Sequence, residues 1–581
     1  MKDTKNFYGH ILDLSGRFKY EIYLIILSVF ALIVHIHLAS TLNLGNDEAH
    51  YYVWSLKPSL GYLDDAPLAG WIIYAFDGLF GKSQLDVRLG AVIFSFLDGF
   101  LVYYLTYTLF KSKRTAFFAF LFFLSAVIFG MVLSVMMLPD APLLFFSLCF
   151  LIFFYKAVEA SQKVTDFKPA AFYHSYWLLA GISLGFAFLS KYTAALIPPA
   201  ALLYLLVSKK NRRYLKTLYP YAALLIALFI FSPVIYWNLT HNFISFRFQL
   251  SHGFSHPKPG FPLLAAGWLG QVAVITPLIY IFLIAAFLYL PLKRRKQGFG
   301  TAGSSFSGHI LFSACFSLSI LLFFIINGYS HRILVHWPDI GYLSAFPIMG
   351  FTADALTRKK RKKGEKKISV FFNGMVKYGV YFTIFSGLFL SFILYNQIYY
   401  NSIPVGKIIR YIDKEKRLKK VGIFSIIPHI PGRPSTADIT NDLFGWRHSA
   451  RYISMVYKGY KTAARPLFIL THHYAIADEL VYYGGYKPAV NIYNISGFLN
   501  QYDFWQNLNK INGKNALFVM DDKYMLNPVK EYAPFFKSVK KIGRLDIYVR
   551  FRLVRIYYLY LMTGFNAAKA LNSFGKFGRM Y

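Results

Sequence analysis

The chain has 581 residues, of which 56% are hydrophobic, 19% are aromatic and only 15% are charged. Soluble proteins of this size carry roughly 25% charged residues, so the composition indicates a polytopic membrane protein. The 63 Lys and Arg exceed the 27 Asp and Glu and give a net charge of +36, but the basic residues cluster between apolar runs. That arrangement is typical of cytoplasmic loops and argues against nucleic-acid binding.

Eleven apolar runs are predicted to be membrane spans. The first run is long enough to cross by itself, and its long N-terminal flank predicts an uncleaved anchor. The fourth, fifth and sixth runs are short for straight spans, and we expect them to be tilted, broken or re-entrant. The eleven runs are 22–41, 88–110, 115–134, 141–157, 176–190, 193–208, 218–237, 263–291, 308–327, 340–357 and 369–397.

The loops between these runs predict the orientation. Every basic cluster between spans falls on one side of an eleven-span arrangement, which is therefore predicted to be cytoplasmic. The N-terminus is then expected inside and the C-terminus outside. The clusters are Lys111 to Arg114, Lys156 to Lys168, Lys209 to Arg213, Lys293 to Lys296 and Arg358 to Lys367.

The chain is predicted to have two domains, a transmembrane domain over 1–397 and a small extracytoplasmic α/β domain over 398–581. Short runs rich in β-forming residues alternate there with amphipathic helical stretches at 434–458 and 474–484. The basic, aromatic tail after Arg550 is predicted to be an interfacial helix. The predicted strands are Val421 to Ile426, Pro466 to Thr471, Ala489 to Ile495, Ala516 to Met520 and Arg544 to Arg550.

The first predicted outer loop, 43–87, is rich in acidic and aromatic residues. Asp47 and Glu48 follow the first span directly, and Asp64 and Asp65 lie further along the same loop. Carboxylates packed this densely at a membrane surface repel one another, so keeping them together is costly unless they bind a cation or exchange a proton. A solvated loop with ordinary surface acids is the alternative interpretation.

Asp140 stands at the predicted start of the fourth span, directly after Pro139. A carboxylate there is suited to act as a general base, and a second carboxylate can orient it or hold a divalent ion. A plain helix cap is the alternative. If a metal is bound, Asp47 and Asp140 are its expected ligands, whereas the spacing of the histidines at 241, 252 and 256 fits no metal signature.

Four cationic or titratable side chains are predicted on the same face as these acids. Lysine and arginine at membrane depth are expensive unless they meet an anion, and a lipid-linked phosphate is available there. Snorkelling to lipid headgroups is the alternative for each. The predicted phosphate-binding residues are Lys191, Arg247, Arg332 and His336.

These groups together describe one reaction. A sugar carried on a polyprenyl phosphate is transferred to an acceptor, and the phosphate departs as an acceptor oxygen attacks the anomeric carbon with inversion. No Walker motif, dinucleotide-binding glycine pattern or Cys-x-x-Cys pair occurs, and Cys149 and Cys315 both lie in apolar runs. Nucleotide-driven pumping, redox chemistry and a disulfide framework therefore have no support.

Several short motifs, in this order along the chain, resemble the bacterial relatives of the dolichyl-phosphate-mannose protein mannosyltransferases, a superfamily that includes the aminoarabinose transferases of lipid A. The resemblance covers nearly the whole chain. The motifs are Asp47-Glu48, Gly61-Tyr62 with Pro67-Leu68, Pro139-Asp140-Ala141-Pro142, Ser190-Lys191-Tyr192, Trp237-Asn238 with His241, His336-Trp337-Pro338, Gly445-Trp446 and Asn500-Gln501-Tyr502-Asp503.

The resemblance implies a GT-C glycosyltransferase fold with two amphipathic helices in the first outer loop. It also implies an undecaprenyl-phosphate sugar donor, a catalytic carboxylate at Asp47 supported by Glu48, and a cavity lined by Asp65 and Asp140. The protein is then expected in the bacterial inner membrane. Relatives of the lipid A branch often carry a cation where this chain has Asp65-Ala66-Pro67, so the sequence does not identify the sugar.

Alternatives for the function remain open. Lipid A or another lipopolysaccharide component is the preferred acceptor, and a secreted protein, as in O-mannosylation, is the alternative. If the acceptor is a phosphate oxygen, Asp47 would orient it or hold a divalent cation, and no other cofactor is expected. A transporter or flippase would need polar residues at mid-membrane depth and two related halves of the chain. An oligosaccharide ligase would need an outer loop richer in arginine.

Overall fold

The computed structural model describes residues 18–160, 170–254, 260–297, 302–358, 367–414, 434, 438–462, 466–496 and 499–577. The chain divides into two compact units. The first unit contains Met1–Ala39, Arg88–Ile235 and Pro257–Ile393. The second unit contains Ser40–Val87, Tyr236–His256 and Leu394–Tyr581.

Most of the described chain before residue 415 is helical, as the apolar runs predict. In chain order these helices are α1 (Lys19–Thr41), α2 (Asn46–Ser55), α3 (Leu68–Phe80), α4 (Gln84–Phe110), α5 (Lys113–Ser125), α6 (Asp140–Ala160), α7 (Ala170–Ser190), α8 (Ile197–Val207), α9 (Tyr219–Thr240), α10 (Ile244–Phe254), α11 (Phe261–Ile275), α12 (Pro277–Gln297), α13 (Ala302–Gly328), α14 (Asp339–Leu343), α15 (Ala345–Thr357), α16 (Lys367–Tyr400) and α17 (Val405–Lys414).

The polytopic membrane character is confirmed. Six helices in the described part of the chain are long and apolar enough to cross a membrane, and a bent pair of helices makes a seventh candidate. The count of eleven spans stays a prediction, because several predicted runs are interrupted rather than continuous. The six are Lys19–Thr41, Gln84–Phe110, Asp140–Glu159, Tyr219–Thr240, Gly308–Gly328 and Asn373–Tyr400.

The predicted span over 263–291 is broken in the middle, where α11 and α12 meet at an angle of 101°. Pro277 follows the break, and proline lacks an amide hydrogen and disfavours helical backbone at the residue before it. Thr276 accordingly leaves the helical region, with φ of +77°. Hydropathy alone does not register this break, because both halves are apolar.

The loop after α1 contains the two helices that the resemblance implies, α2 and α3. α2 begins where the backbone N–H of Gly45 donates a hydrogen bond of 2.8 Å to the carboxylate of Glu48. This bond satisfies a backbone donor that the start of a helix otherwise leaves unpaired. Glu48 is consequently buried, with none of its surface exposed.

The C-terminal part of the second unit is an α/β fold around a five-stranded sheet. The elements are α18 (Trp446–Tyr460), β1 (Leu467–Thr471), α19 (Tyr474–Gly484), β2 (Ile492–Asn494), α20 (Tyr502–Trp505), β3 (Asn515–Asp521), α21 (Pro528–Tyr532), β4 (Ser538–Val549), β5 (Arg552–Thr563) and α22 (Ala567–Phe577). The strand order in the sheet is β2-β1-β3-β5-β4. Strands β1, β2 and β3 are parallel, whereas β5 is antiparallel to both β3 and β4.

Four of the five predicted strands overlap β1 to β4, and the fifth, Val421 to Ile426, lies outside the described residues. The predicted helix at 474–484 coincides with α19, which is capped by the His473 side chain accepting from the Ala475 N–H and ends at Gly485 with φ of +67°. The predicted helix at 434–458 is shorter, since α18 starts at Trp446. The boundary predicted at residue 398 stays a prediction.

The prediction of an interfacial helix after Arg550 is wrong for residues 552–563. These residues form β5, which lies between β3 and β4, and their branched and aromatic side chains favour a strand. Two of the basic residues that suggested contact with headgroups, Arg552 and Arg555, have partners inside the unit. Arg552 donates to the carbonyls of Asn401 and Ser402.

Arg555 is the centre of a buried ion network in this unit. Its guanidinium donates to Asp521 at 2.8 Å and to Asp442 at 3.0 Å, and lies 4.3 Å from the ring centroid of Trp446. Only 2% of Arg555 is exposed. A buried ion pair of this kind is very sensitive to the loss of one partner, because the other is left as an uncompensated charge.

We expect Arg555→Met to lower the free energy of unfolding by about 3–5 kcal/mol, because the fully buried Asp521 would lose its main counter-charge. Thermal unfolding of the purified protein in detergent measures this loss. The matched control is Arg544→Met, which removes a surface pair with Asp546 and should leave the unfolding temperature close to that of wild type, because water screens such a pair. Equal effects of the two substitutions would show that the network does not stabilise the sheet.

Candidate active site

The acidic loop of the second unit is organised around His50. Nδ1 of His50 lies 2.7 Å from the Asp478 carboxylate and Nε2 lies 2.9 Å from the Asp64 carboxylate. Asp478 also accepts a hydrogen bond of 2.7 Å from the Tyr502 hydroxyl. α2 supplies the histidine and α19 the buried aspartate, so this cluster joins the first loop to the α/β fold.

The two carboxylates hold His50 in its charged form. Burial opposes a charge on the imidazole, but Asp478 and then Asp64 outweigh burial and raise the pKa of His50 to about 10. Asp478 is fully buried, whereas the side chain of Asp64 is 27% exposed. The cluster is therefore a protonated imidazolium between a buried and a partly exposed carboxylate, a geometry that fixes the ring and presents Asp64 to a ligand.

Asp47 lies in the first turn of α2 and its side chain is exposed. Tyr474 lies nearby, with its ring centroid 4.6 Å from that of His50. Burial, followed by the charges of Asp47 and Asp64, raises the pKa of the Tyr474 phenol well above its ordinary value. Tyr474 is therefore held as a neutral hydroxyl between two acids, and it is suited to donate a hydrogen bond to a ligand oxygen.

The other two predicted acids of the loop are buried. Glu48 accepts the hydrogen bond from the Gly45 N–H at the start of α2. This buried contact holds the first turn of the helix, in which Asp47 lies. Asp65 is 8% exposed and accepts a hydrogen bond of 3.0 Å from the Ala66 N–H. The roles predicted for Asp47, Glu48 and Asp65 stay predictions.

The loop is supported by the segment at the end of α9. Trp237 stacks on His241 with ring centroids 4.1 Å apart, and a side chain at Gly61 would lie 3.0 Å from the Trp237 ring. Gly61 therefore permits a close approach that a larger residue would block. The side chain of Gln249 donates to the Asp64 carbonyl, and Arg247 on the same helix, α10, is exposed.

The first unit contains the remaining predicted residues. Nζ of Lys191 lies 2.7 and 2.8 Å from the two carboxylate oxygens of Asp140. Asp140 is 1% exposed and Lys191 6%, so the pair is nearly dehydrated. The anion that Lys191 meets in this structure is thus Asp140, and its predicted contact with a donor phosphate stays a prediction.

His336 and Asp339 are close to this pair. Burial, followed by the charge of Lys191, lowers the pKa of His336 to about 4, so the imidazole is neutral and can accept or donate a proton. Asp339 interacts electrostatically with Asp140 and Lys191, and neither of its carboxylate oxygens has a hydrogen-bond partner among the described residues. Arg332 is exposed.

Sequence reasoning missed the residues that bind the loop together. His50 stands inside the acidic segment, and Tyr502 and Gln501 stand inside a motif of the resemblance, so both signals were present in the sequence. Gln501 accepts a hydrogen bond of 2.8 Å from the Leu63 N–H. Asp339 directly follows the His336-Trp337-Pro338 motif, so its signal was also present. Asp478 had no such signal, because it stands in an ordinary helical pattern outside the motifs.

No group of three or more His, Cys, Asp or Glu side chains within the described ranges is placed to hold a metal ion. The divalent cation predicted at Asp47 and Asp140 stays a prediction.

We expect the His50 cluster to make stability depend on pH. The folded pKa of about 10 lies above the ordinary value of 6.5, so the contribution is fully present below pH 6.5 and is lost as the pH rises toward 10. Melting temperatures of wild type and His50→Gln over this range should converge at high pH. His448→Gln, at an exposed position of α18, is the control and should follow wild type throughout; parallel curves for His50→Gln would contradict the assignment.

We expect Lys191→Met to destabilise the first unit by about 3–5 kcal/mol, because Asp140 would be left buried without its cation. The double variant Asp140→Asn/Lys191→Met should recover part of that loss, since no uncompensated charge remains. Chemical unfolding of the four proteins in a double-mutant cycle measures the coupling between the two residues. Strictly additive effects would show that the pair does not act as a unit.

Comparison with known proteins identifies the fold. A family model described as dolichyl-phosphate-mannose-protein mannosyltransferase matches residues 64–237. No curated protein sequence matches the chain.

Two solved structures match over almost the whole length. ArnT from Cupriavidus metallidurans bound to undecaprenyl phosphate matches with 14% identity and a TM-score of 0.53, and the match covers 93% of this chain and 98% of the ArnT chain. The apo state of the same protein has 14% identity and a TM-score of 0.51, covering 94% and 98%. The chain therefore has a GT-C glycosyltransferase fold and resembles the protein mannosyltransferase-like and ArnT-like proteins, as the order of its motifs predicts.

Proposed function

We propose that this protein is an inverting glycosyltransferase that moves a sugar from a polyprenyl phosphate to an extracytoplasmic acceptor. The observation that carries the proposal is the exposed Asp47 in the first turn of α2, with Tyr474 beside it and the His50 cluster fixing the loop. The fold match to ArnT with bound undecaprenyl phosphate supports a lipid-phosphate donor.

Asp47 is proposed to act on the acceptor. If the acceptor is a hydroxyl, Asp47 takes its proton as the oxygen attacks the anomeric carbon, and the bond from that carbon to the phosphate oxygen breaks. If the acceptor is a phosphate oxygen, which is already ionised, Asp47 orients it instead. The buried Glu48 holds the first turn of α2 and so positions the attacking side of the site.

The departing phosphate requires positive charge. The predicted donor-binding residues are Lys191, Arg247, Arg332 and His336. The charges of the lysine and the two arginines stabilise the phosphate as it leaves, and the neutral imidazole of His336 can donate a hydrogen bond to it. Asp65 and Asp140 are proposed to line the substrate cavity. Asp140 sets the position of Lys191 through its two hydrogen bonds, which makes Lys191 a preorganised cation rather than a flexible one.

The preferred acceptor is lipid A or another lipopolysaccharide component, and the site of action is the periplasmic face of the inner membrane. A protein acceptor is the second candidate, because the matching family model describes protein mannosyltransferases. A lipid-linked sugar transporter is the candidate from another class. It would move the donor across the membrane with its sugar–phosphate bond intact.

The test uses the purified protein with a labelled polyprenyl-phosphate sugar and lipid A. We expect release of polyprenyl phosphate and label on lipid A, and we expect Asp47→Asn to reduce turnover by roughly 10²- to 10⁴-fold, as loss of a general base does. Asp546→Asn, which alters a half-buried acid of β4 that pairs with Arg544, should leave turnover unchanged. Donor binding is measured in parallel so that a binding defect is not mistaken for a catalytic one.

The outcomes separate the candidates. Full turnover by Asp47→Asn with normal donor binding would exclude its catalytic role. Label on an added periplasmic protein instead of lipid A would establish the protein-acceptor candidate. Movement of the labelled lipid across vesicles without bond cleavage would establish the transporter.

A further inference from the structure

The turn between β4 and β5 has an unusual composition for its shape. Its two central residues are Arg550 and Phe551, and both lie in the left-handed region, with φ of +45° and +63°. Two-residue hairpin turns of this geometry normally carry asparagine, aspartate and glycine, because a large side chain at positive φ is strained. Strain of this kind is found where the side chains have a function that overrides the local preference.

The side chains of this turn are also unusually exposed. Phe551 is fully exposed, and Tyr548 near the end of β4 is 59% exposed. Arg550 is exposed as well, and it forms no ion pair with a carboxylate within the described ranges. A single exposed aromatic residue is ordinary. Here two of them stand with a cation on a strained hairpin tip, which we define as residues 548–552.

The hairpin tip lies at the end of a membrane span. The apolar part of α16, which is long enough to cross a membrane, ends at Tyr400. The guanidinium of Arg550 lies 4.5 Å from the ring centroid of Tyr400. Arg552 donates hydrogen bonds of 2.6 and 2.9 Å to the carbonyls of Asn401 and Ser402. All of these residues belong to the second unit, so three contacts fix the tip against the end of the span.

The end of α16 also marks the level of the lipid headgroups. Tyr395 stacks on Tyr399 with ring centroids 5.9 Å apart, and Tyr399 meets Tyr400 edge to face at 4.8 Å. Tyrosines are enriched where a span passes from hydrocarbon to headgroups. The hairpin tip that contacts this tyrosine cluster is therefore at the depth of the membrane interface.

A second exposed apolar group follows the same span. The chain after α16 folds back on the helix end, where the Ile403 N–H donates a hydrogen bond of 2.7 Å to the Gln397 side chain. α17 begins directly after this turn. Its residues Ile408 and Tyr411 are 46% and 68% exposed, and Lys407 is exposed beside them. Exposed apolar and basic side chains on a short helix next to a span are typical of an interfacial helix.

We propose that the hairpin tip and α17 dock on the bilayer surface at the end of α16 and bind anionic lipid there. Phe551 enters the boundary between headgroups and acyl chains, where aromatic rings are favoured. Arg550 and Lys407 bind lipid phosphates. The composition of the turn is then explained, because asparagine and glycine would relieve the backbone strain but would supply neither the ring nor the charge.

A lipid surface fits these features better than a protein partner does. The tip is fixed to the end of a membrane span, where lipid surrounds the protein. An apolar ring between cations matches acyl chains beneath anionic headgroups. The basic and aromatic character that suggested an interfacial helix after Arg550 thus belongs to the turn that precedes β5. The proposal is independent of sugar transfer.

The first test measures the depth of the hairpin tip. A nitroxide label is attached at Phe551→Cys in the full-length protein, after Cys149→Ala and Cys315→Ala remove the two free thiols, and the protein is placed in nanodiscs containing phosphatidylglycerol. The control label is at Lys540→Cys, an exposed position roughly 30 Å along β4 from the tip. We expect label 551 to meet dissolved oxygen severalfold more than a water-soluble nickel chelate, and label 540 to show the reverse.

The second test separates docking from the stability of the turn. Arg550→Asn/Phe551→Gly gives the turn the residues that its backbone prefers, so we expect an unfolding temperature at or above that of wild type. A label at Tyr548→Cys should nevertheless become accessible to the nickel chelate in this variant, whereas the native turn protects it. Arg550→Gln alone should reduce the protection in phosphatidylglycerol nanodiscs and leave it unchanged in phosphatidylcholine nanodiscs.

Equal access of the nickel chelate to labels 551 and 540 would overturn the proposal, as would unchanged protection of label 548 in Arg550→Asn/Phe551→Gly. Protection that is the same in both lipids, with and without Arg550→Gln, would overturn the binding of anionic lipid. Exclusion of both reagents from label 551, with dipolar coupling between the labels of two molecules, would instead assign the tip to a contact between copies of the chain.

Discussion

The contact on which the candidate site depends is the charged hydrogen-bond chain from Asp64 through His50 to Asp478. A loop following a membrane span has few apolar side chains to bury, so its backbone needs some other source of order. The imidazolium provides it, because burial between two carboxylates makes its hydrogen bonds strong and its loss costly. Tyr502 and Gln501 add hydrogen bonds from the α/β fold to the same loop.

The same principle recurs throughout the molecule. Few acids occur in this chain, and several of the buried ones have a specific cationic partner: Asp140 has Lys191, and Asp521 has Arg555. These pairs fix geometry more than they contribute net stability, since dehydration offsets much of the attraction.

Composition and hydropathy were sufficient to predict a polytopic helical membrane protein with a C-terminal α/β fold, because the periodicity of apolar residues is a local property. The two loop helices followed from the resemblance, and so did the catalytic role that is predicted for Asp47 at the start of the first of them. The break at Thr276 and the strand at 552–563 were not predicted. An apolar run reads the same whether it is straight or bent, and the arginines of β5 resembled headgroup anchors until their partners in the fold were seen.

The sequence by itself determined which residue types occupy the loops and in what order, and hence the fold class and the kind of chemistry. Only the tertiary structure decided which acid is exposed and which is used internally: Asp47 faces outward, while the adjacent Glu48 caps its own helix. It also paired His50 with an acid 428 residues away. Long-range electrostatic pairing depends on how distant segments pack, and no local pattern encodes it.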